Sequence, residues 1–148
     1  MKQVTLYCDG SSLGNPGAGG FCGILSYQDK HKTITGGEPN TTNNRMELRA
    51  VIESLKALKE PCEVDIYSDS NYVCDGISKW LPSWQKKGFS GVKNPDLWKE
   101  YLSIAAPHTI RTHWVKAHAG NPQNEMCDRL AKAAAAQFLE PSGEKGLF

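Results

Sequence analysis

The chain has 148 residues, of which 39% are apolar and 22% charged, and its formal net charge is +1. That length suits one domain, and four Trp, five Tyr and four Phe within such a composition supply enough hydrophobic material for a core. Wholesale disorder and a second domain of ordinary size are excluded.

No apolar run approaches the ~20 residues that cross a bilayer, and Met1 to Asp9 alternates instead of forming a signal peptide's apolar block. Cys8, Cys22, Cys62, Cys74 and Cys127 lack the paired spacing of a zinc or redox motif, which suits reduced core thiols in the cytoplasm. Charge is uneven: Lys79, Lys86, Lys87, Lys93 and Lys99 face one acid, Asp96, between positions 79 and 99.

Val4, Leu6 and Cys8 alternate with polar neighbours, predicting a strand that ends at Asp9 where Gly10 opens a glycine-rich segment. Further strands are expected over Phe21 to Tyr27 and Lys32 to Gly37, antiparallel because their connections are short. Leu48, Val51, Ile52, Leu55 and Leu58 recur at helical spacing, with Asn44 and Glu47 spaced as a capping box, and Pro61 ends that helix. Val64, Ile66 and Ser68 predict a strand ending at Asp69. A short helical piece at Asn71 to Cys74 stops at Gly76, and Pro82, Gly88 and Gly91 are expected to keep the basic stretch irregular. Asn94-Pro95 starts a helix with Leu97, Trp98, Tyr101, Leu102 and Ala105 on one face. Ile110, Thr112 and Trp114 predict a last strand with Trp114 in the core. A loop over Lys116 to Asn124 precedes a final helix from Glu125 to Leu139, and residues 141–148 form a loose tail beyond a domain of residues 1–140. This order predicts an α/β domain with a mixed sheet, where ligands gather beyond the carboxyl ends of the parallel strands.

Four acids occupy presented positions: Asp9 and Asp69 at strand ends, Glu47 and Asp128 in first helical turns. If they converge, they need shifted pKa values or a cation, and oxygen donors alone favour Mg²⁺ or Mn²⁺. The structural alternatives are a capping box for Glu47, a helix cap for Asp69 and a helix-dipole partner for Asp128.

These residues stand in the strings Thr5-Leu-Tyr-Cys-Asp-Gly-Ser-Ser-Leu-Gly-Asn-Pro-Gly, Thr41-Thr-Asn-Asn-Arg-Met-Glu, Tyr67-Ser-Asp-Ser, Trp114-Val-Lys-Ala-His-Ala-Gly and Asn124-Glu-Met-Cys-Asp. In order and over most of the chain they resemble the bacterial type 1 ribonuclease H family. The resemblance implies a five-stranded mixed sheet with helices on both faces. It implies an endonuclease that hydrolyses the RNA strand of RNA/DNA hybrids and leaves 3′-hydroxyl and 5′-phosphate ends. One compact domain without heptads points to a monomer with no obligate protein partner. Asp9, Glu47, Asp69 and Asp128 match the family's metal-binding acids, expected to hold two Mg²⁺, or Mn²⁺ in their place, for two-metal hydrolysis. His118 matches a loop histidine that moves protons or assists product release. Ser12, Asn15, Asn43, Asn44 and Asn71 match substrate-contact positions, and Thr42 with Arg45 a DNA-phosphate pocket. Trp80, Trp84, Lys86 and Lys87 resemble a basic handle, here short between Lys87 and Val92. Ser12 stands where a cysteine is frequent, Asn71 where glutamine is, and Ala117 where a glycine is expected beside His118. The competing readings are a hybrid-binding module without catalysis, which loss of an acid would favour, and another metal-dependent nuclease or strand transferase of the same fold.

Overall fold

The computed structural model describes residues 1–117 and 120–139. Three long strands open the chain: β1 (Lys2–Ser12), β2 (Gly17–Tyr27) and β3 (Lys30–Thr41). They form an antiparallel meander, with Cys8 opposite Gly23 and Ile24 opposite Thr33. All three outrun their expected bounds, because β1 continues through Asp9 to Ser12 by pairing with the glycine-rich start of β2. Asp9 is therefore not the end of its strand; it lies just beyond the point where the second neighbour of β1 stops pairing.

That neighbour is β4 (Cys62–Ser68), parallel to β1, and β5 (Thr109–Trp114) adds in parallel beyond it, giving the order β3-β2-β1-β4-β5. The helix α1 (Asn43–Lys56) connects β3 to β4. Between β4 and β5 come α2 (Asn71–Asp75), a π-helical turn (Gly76–Trp80), α3 (Leu81–Lys86) and α4 (Pro95–Ala105). Helix thus continues past Gly76 to residue 86, where an irregular stretch was expected; Pro82 is the second residue of α3, directly after the π-helical turn.

Side chains alternate across the sheet. Val4, Leu6 and Cys8 join Leu48, Val51, Ile52, Val64, Ile66 and Trp98 in the main core under α1 and α4. Tyr7, Cys22 and Ile24 point to the other face, where Cys127 and Ala131 of α5 (Pro122–Ala136) cover them. Helices therefore cover both faces of the mixed sheet. All five cysteines are buried and unpaired.

Trp98, fully buried, donates its Nε1–H to the Tyr72 hydroxyl at 2.8 Å. Asn94 precedes α4 in the left-handed region (φ 56°) but makes no capping bond; its amide donates to the same hydroxyl at 3.0 Å. Trp114, expected in the core, is 53% exposed at the last position of the edge strand. Residues 141–148 lie outside the described residues. No helix among the described residues is long and apolar enough to cross a membrane.

Candidate active site

Asp9 and Asp69 come together because β1 and β4 are parallel with Tyr7 beside Tyr67. Two residues on, both chains present a carboxylate to the same face. Glu47 arrives from the start of α1, which can press against β1 only because residue 10 is glycine: a Cβ there would meet the Glu47 amide and the Met46 carbonyl carbon. Carboxylate oxygens of Asp9, Glu47 and Asp69 all lie within 4.8 Å of one another.

This grouping is costly without a counter-charge. Asp9 is 7% exposed and Glu47 8%. Burial, then the charge of Asp69, pushes the Asp9 carboxyl up to about 7, although the Gly10 N–H donates to its Oδ1 at 2.9 Å. Burial, then Asp9 and Asp69, pushes Glu47 well above the usual carboxylate range. Oε2 of Glu47 is buried and has no hydrogen-bond partner among the described residues. Crowded hard oxygens with one left unsatisfied fit a divalent cation of the Mg²⁺ or Mn²⁺ kind.

The structural alternatives for these acids are taken by other residues. Thr42 is the N-cap of α1, accepting from the Arg45 N–H at 3.3 Å, so Asn44 and Glu47 form no capping box. Ser70, not Asp69, caps α2, accepting from the Val73 N–H at 3.1 Å. The last helix starts at Pro122 with Asn121 as its cap, three residues earlier than expected, which puts Asp128 beyond the first turn.

Asp128 lines the same cleft as Asp9 and Asp69, together with Lys116, Asn121, Asn124 and Glu125. It stands outside the group of three, its Oδ2 paired with Lys132 Nζ at 3.1 Å. Its helix is seated by Gly20, where a Cβ would meet the Ala131 carbonyl oxygen and the Ala135 amide. Lys116, Asn121, Asn124 and Glu125 were not singled out in the sequence; their positions around His118 and Asp128 were the available signal. His118 itself lies outside the described residues.

The ribonuclease H family model matches residues 1–136. The chain belongs to the ribonuclease H family. It is 59% identical over 140 residues to a ribonuclease HI of Helicobacter pylori strain 26695, covering 95% of this chain and 98% of that relative. To a ribonuclease H of Campylobacter jejuni strain 81-176 it is 54% identical over 145 residues, 98% and 99% of the two chains. Among solved structures it resembles LC9-RNase H1, described as a type 1 RNase H with the type 2 active-site motif: TM-score 0.85 at 33% identity, over 95% of this chain and 75% of that one. Ribonucleases H are metal-dependent, and the carboxylate group is where this one can hold its ion.

Beside the carboxylates, this ribonuclease H carries a second cavity lined by Asn15, Thr42, Asn43, Asn44, Lys93 and Asn94. The loop between β1 and β2, the start of α1 and the loop before α4 meet there. Asn43 Oδ1 accepts from the Ser12 N–H at 2.6 Å, and Asn15 Oδ1 accepts from the Asn43 N–H at 3.4 Å, so both amides also brace the backbone. Arg45 is not among the lining residues. Its guanidinium donates to both oxygens of Asp96 (3.1 and 2.9 Å) and to Asn94 Oδ1 (3.1 Å). Lys93 and Asn94 stand there instead, an assignment the sequence reading missed although Lys93 belongs to the basic stretch. Asn71 is exposed at the start of α2.

The handle consists of the π-helical turn, α3 and the loop to Asn94. Trp80 and Trp84 pack at 5.7 Å between ring centroids, and Trp84 meets Trp98 at 5.2 Å, anchoring the handle to the core. Gly88, Phe89 and Gly91 have positive φ, which folds the short segment tightly back. Lys86 and Lys87 are exposed, and Trp80 keeps 40% of its surface open.

Proposed function

We propose that this ribonuclease H is an endonuclease that hydrolyses the RNA strand of RNA/DNA hybrids with divalent cations held by Asp9, Glu47, Asp69 and Asp128. The observation that carries the proposal is the convergence of three carboxylates, two of them buried, just beyond the last paired residues of the parallel β1–β4 ladder, on the side where an open sheet places its ligands. A divalent ion held there supplies positive charge that eases ionisation of water and offsets charge building on the phosphoryl oxygens.

The chain's own groups provide the rest. Asp9, Glu47 and Asp69 form a fixed anionic floor, and Asp128 faces it across the cleft, its carboxylate held by Lys132 until a cation competes for it. A second ion is expected on the Asp128 side. Mg²⁺ is the expected metal and Mn²⁺ its substitute, and the expected products end in 3′-hydroxyl and 5′-phosphate.

The cavity of Thr42, Asn43, Asn44, Lys93 and Asn94 suits one phosphate of the DNA strand: amide and hydroxyl groups surround it and Lys93 supplies the charge. Arg45, engaged with Asp96, is expected to support this cavity from behind unless substrate draws it away. Ser12, Asn15 and Asn71 are proposed to meet bases and 2′-hydroxyls, which distinguish RNA from DNA. Lys86, Lys87, Trp80 and Trp84 are proposed to receive the hybrid's backbone further along. His118, which follows the cleft-lining Ala117 in the sequence, is proposed to move a proton. Five buried unpaired thiols support work in a reducing cytoplasm, and the enzyme is proposed to act as a monomer.

The test is a hybrid labelled on its RNA strand, incubated with Mg²⁺, Mn²⁺ or EDTA beside single-stranded RNA, duplex RNA and duplex DNA. Metal-dependent internal cuts confined to hybrid RNA are the expected outcome. Binding of hybrid without cleavage in either metal would replace the enzyme with a binding module.

A further inference from the structure

Trp114 is a large apolar side chain left half-exposed at the end of the edge strand, yet its polar atom is turned toward the site: the indole Nε1–H donates to the backbone carbonyl of Asp69 at 3.0 Å. Asp69 is the first residue past β4, where the ladder no longer holds the chain. Bonds from the neighbouring strand and from the turn itself hold it. The Val115 N–H donates to the Ser68 carbonyl at 2.9 Å, the Ser70 N–H donates to Ser68 Oγ at 3.0 Å, and the indole takes the carbonyl of the acid itself. Trp114 is also followed directly by Val115, Lys116 and Ala117, all of which line the carboxylate cleft. One side chain thereby ties the backbone of a carboxylate to the root of the segment that lines the cleft.

We infer that Trp114 is a positioning residue for the cation site: its indole N–H fixes the main chain of Asp69, so that this carboxylate meets Asp9 and Glu47 at cation-binding distance. The inference rests on the cation reading given above. A surface ring whose role were only packing would need no donor at this point, and one serving substrate alone would leave the Asp69 carbonyl to water. Backbone groups that orient a metal ligand act as outer-sphere partners do, and removing one weakens affinity without dismantling the site.

The test compares wild type with Trp114→Phe, which keeps a ring and loses the donor, and with Trp114→Ala. Mg²⁺ binding to the metal-free proteins is measured by calorimetry and hybrid cleavage is followed as a function of Mg²⁺. Both variants are expected to bind Mg²⁺ about fivefold more weakly, the scale of one hydrogen bond's net contribution. Cleavage should fall at limiting Mg²⁺ and recover at saturating Mg²⁺, with KM for hybrid unchanged. In wild type the Trp114 indole proton should exchange slowly with solvent and its NMR resonance should shift on Mg²⁺ addition, a readout that needs no variant to fold. Wild-type Mg²⁺ affinity in Trp114→Phe overturns the inference and leaves the cation reading standing. So does a raised KM for hybrid with Mg²⁺ affinity intact, which would give the ring to substrate. Absence of Mg²⁺ binding by wild type would overturn the cation reading and this inference with it.

Discussion

The carboxylate cleft and the basic handle are built on opposite principles. Asp9 and Glu47 are buried against each other's charge and held by close contacts that only glycine permits, whereas Lys86 and Lys87 lie in solvent at the end of a six-residue helix secured by tryptophans beneath it. One region spends folding energy to place repelling groups; the other adds charge where it costs almost nothing. Groups that do chemistry must be held within fractions of an ångström by the core, while groups that attract a polyanion need only face outward on a rigid support.

The sharpest break of that contrast is Asp9→Asn. Turnover of hybrid should fall by at least about 100-fold, at or beyond the effect of losing an outer-sphere partner. At pH 8, urea unfolding of the metal-free variant should show it more stable than wild type by on the order of 2 kcal/mol, because a buried charge has been removed. Equal turnover would take Asp9 out of the metal site. Equal stability would mean that its charge costs the fold nothing.

The same strain sets a pH dependence. The Asp9 carboxyl is raised to about 7 in the folded chain, so the folded state holds this proton more tightly than the unfolded one. Its contribution to stability is full below about pH 4, declines as pH rises through 7 and is flat above. Metal-free protein should therefore lose stability between pH 4 and 7, and saturating Mg²⁺ should offset the loss at the upper end, since the cation competes with the proton. Thermal melts across this range with EDTA or Mg²⁺ check both arms, and parallel curves would contradict the cation reading.

A smaller effect is expected in the handle. Lys86→Ala with Lys87→Ala should raise KM several-fold and reduce the slope of log KM against log salt by roughly 1 to 2, about one for each phosphate that no longer has a lysine beside it. An unchanged slope would remove these lysines from the interface. Their substitution should leave Tm within about 1 °C, because neither forms an ion pair among the described residues.

Smallest is the exposed pairing on the sheet's other face. Arg111, with help from His113, holds the Asp65 carboxyl at about 2, at distances of 2.9 and 2.8 Å. Here the folded carboxyl is depressed, so its contribution is present above about pH 4 and lost as pH falls through 2. Arg111→Ala should shift acid unfolding to higher pH while costing less than about 1 kcal/mol at neutrality, as solvent screens the pair.

Much of this was legible in the chain. The helical recurrence of Leu48, Val51, Ile52 and Leu55 marks the buried face of α1, and alternation marks the cores of β1 and β4, because burial on one face imposes its period on the residues. Asp9, Glu47, Asp69 and Asp128, and Asn15, Thr42, Asn43 and Asn44 of the second cavity, all stand in the strings that carry the resemblance. Other features were misread where local signals stood in for long-range pairing. Asn44 with Glu47 had the spacing of a capping box, yet Thr42 holds the cap and Glu47 turns to Asp9. Glycines 17, 19 and 20 read as loop and are strand, since the meander pairs them and α5 needs the space above Gly20. Trp114 read as core from its size and phase, and its donor is what the Asp69 turn uses.

By itself the sequence determined the buried faces of α1, α4 and α5 and the alternating runs of β1 and β4, and it set four acids beside those elements, because periodicity is local. Tertiary structure alone decided that three of the acids share one point and the fourth waits across the cleft on Lys132, that Arg45 is bound to Asp96 while Lys93 lines the cavity, and that an edge tryptophan grips the backbone of Asp69. Those outcomes depend on strand register and on helices seated over glycine, and neither quantity is a property of any one stretch of chain.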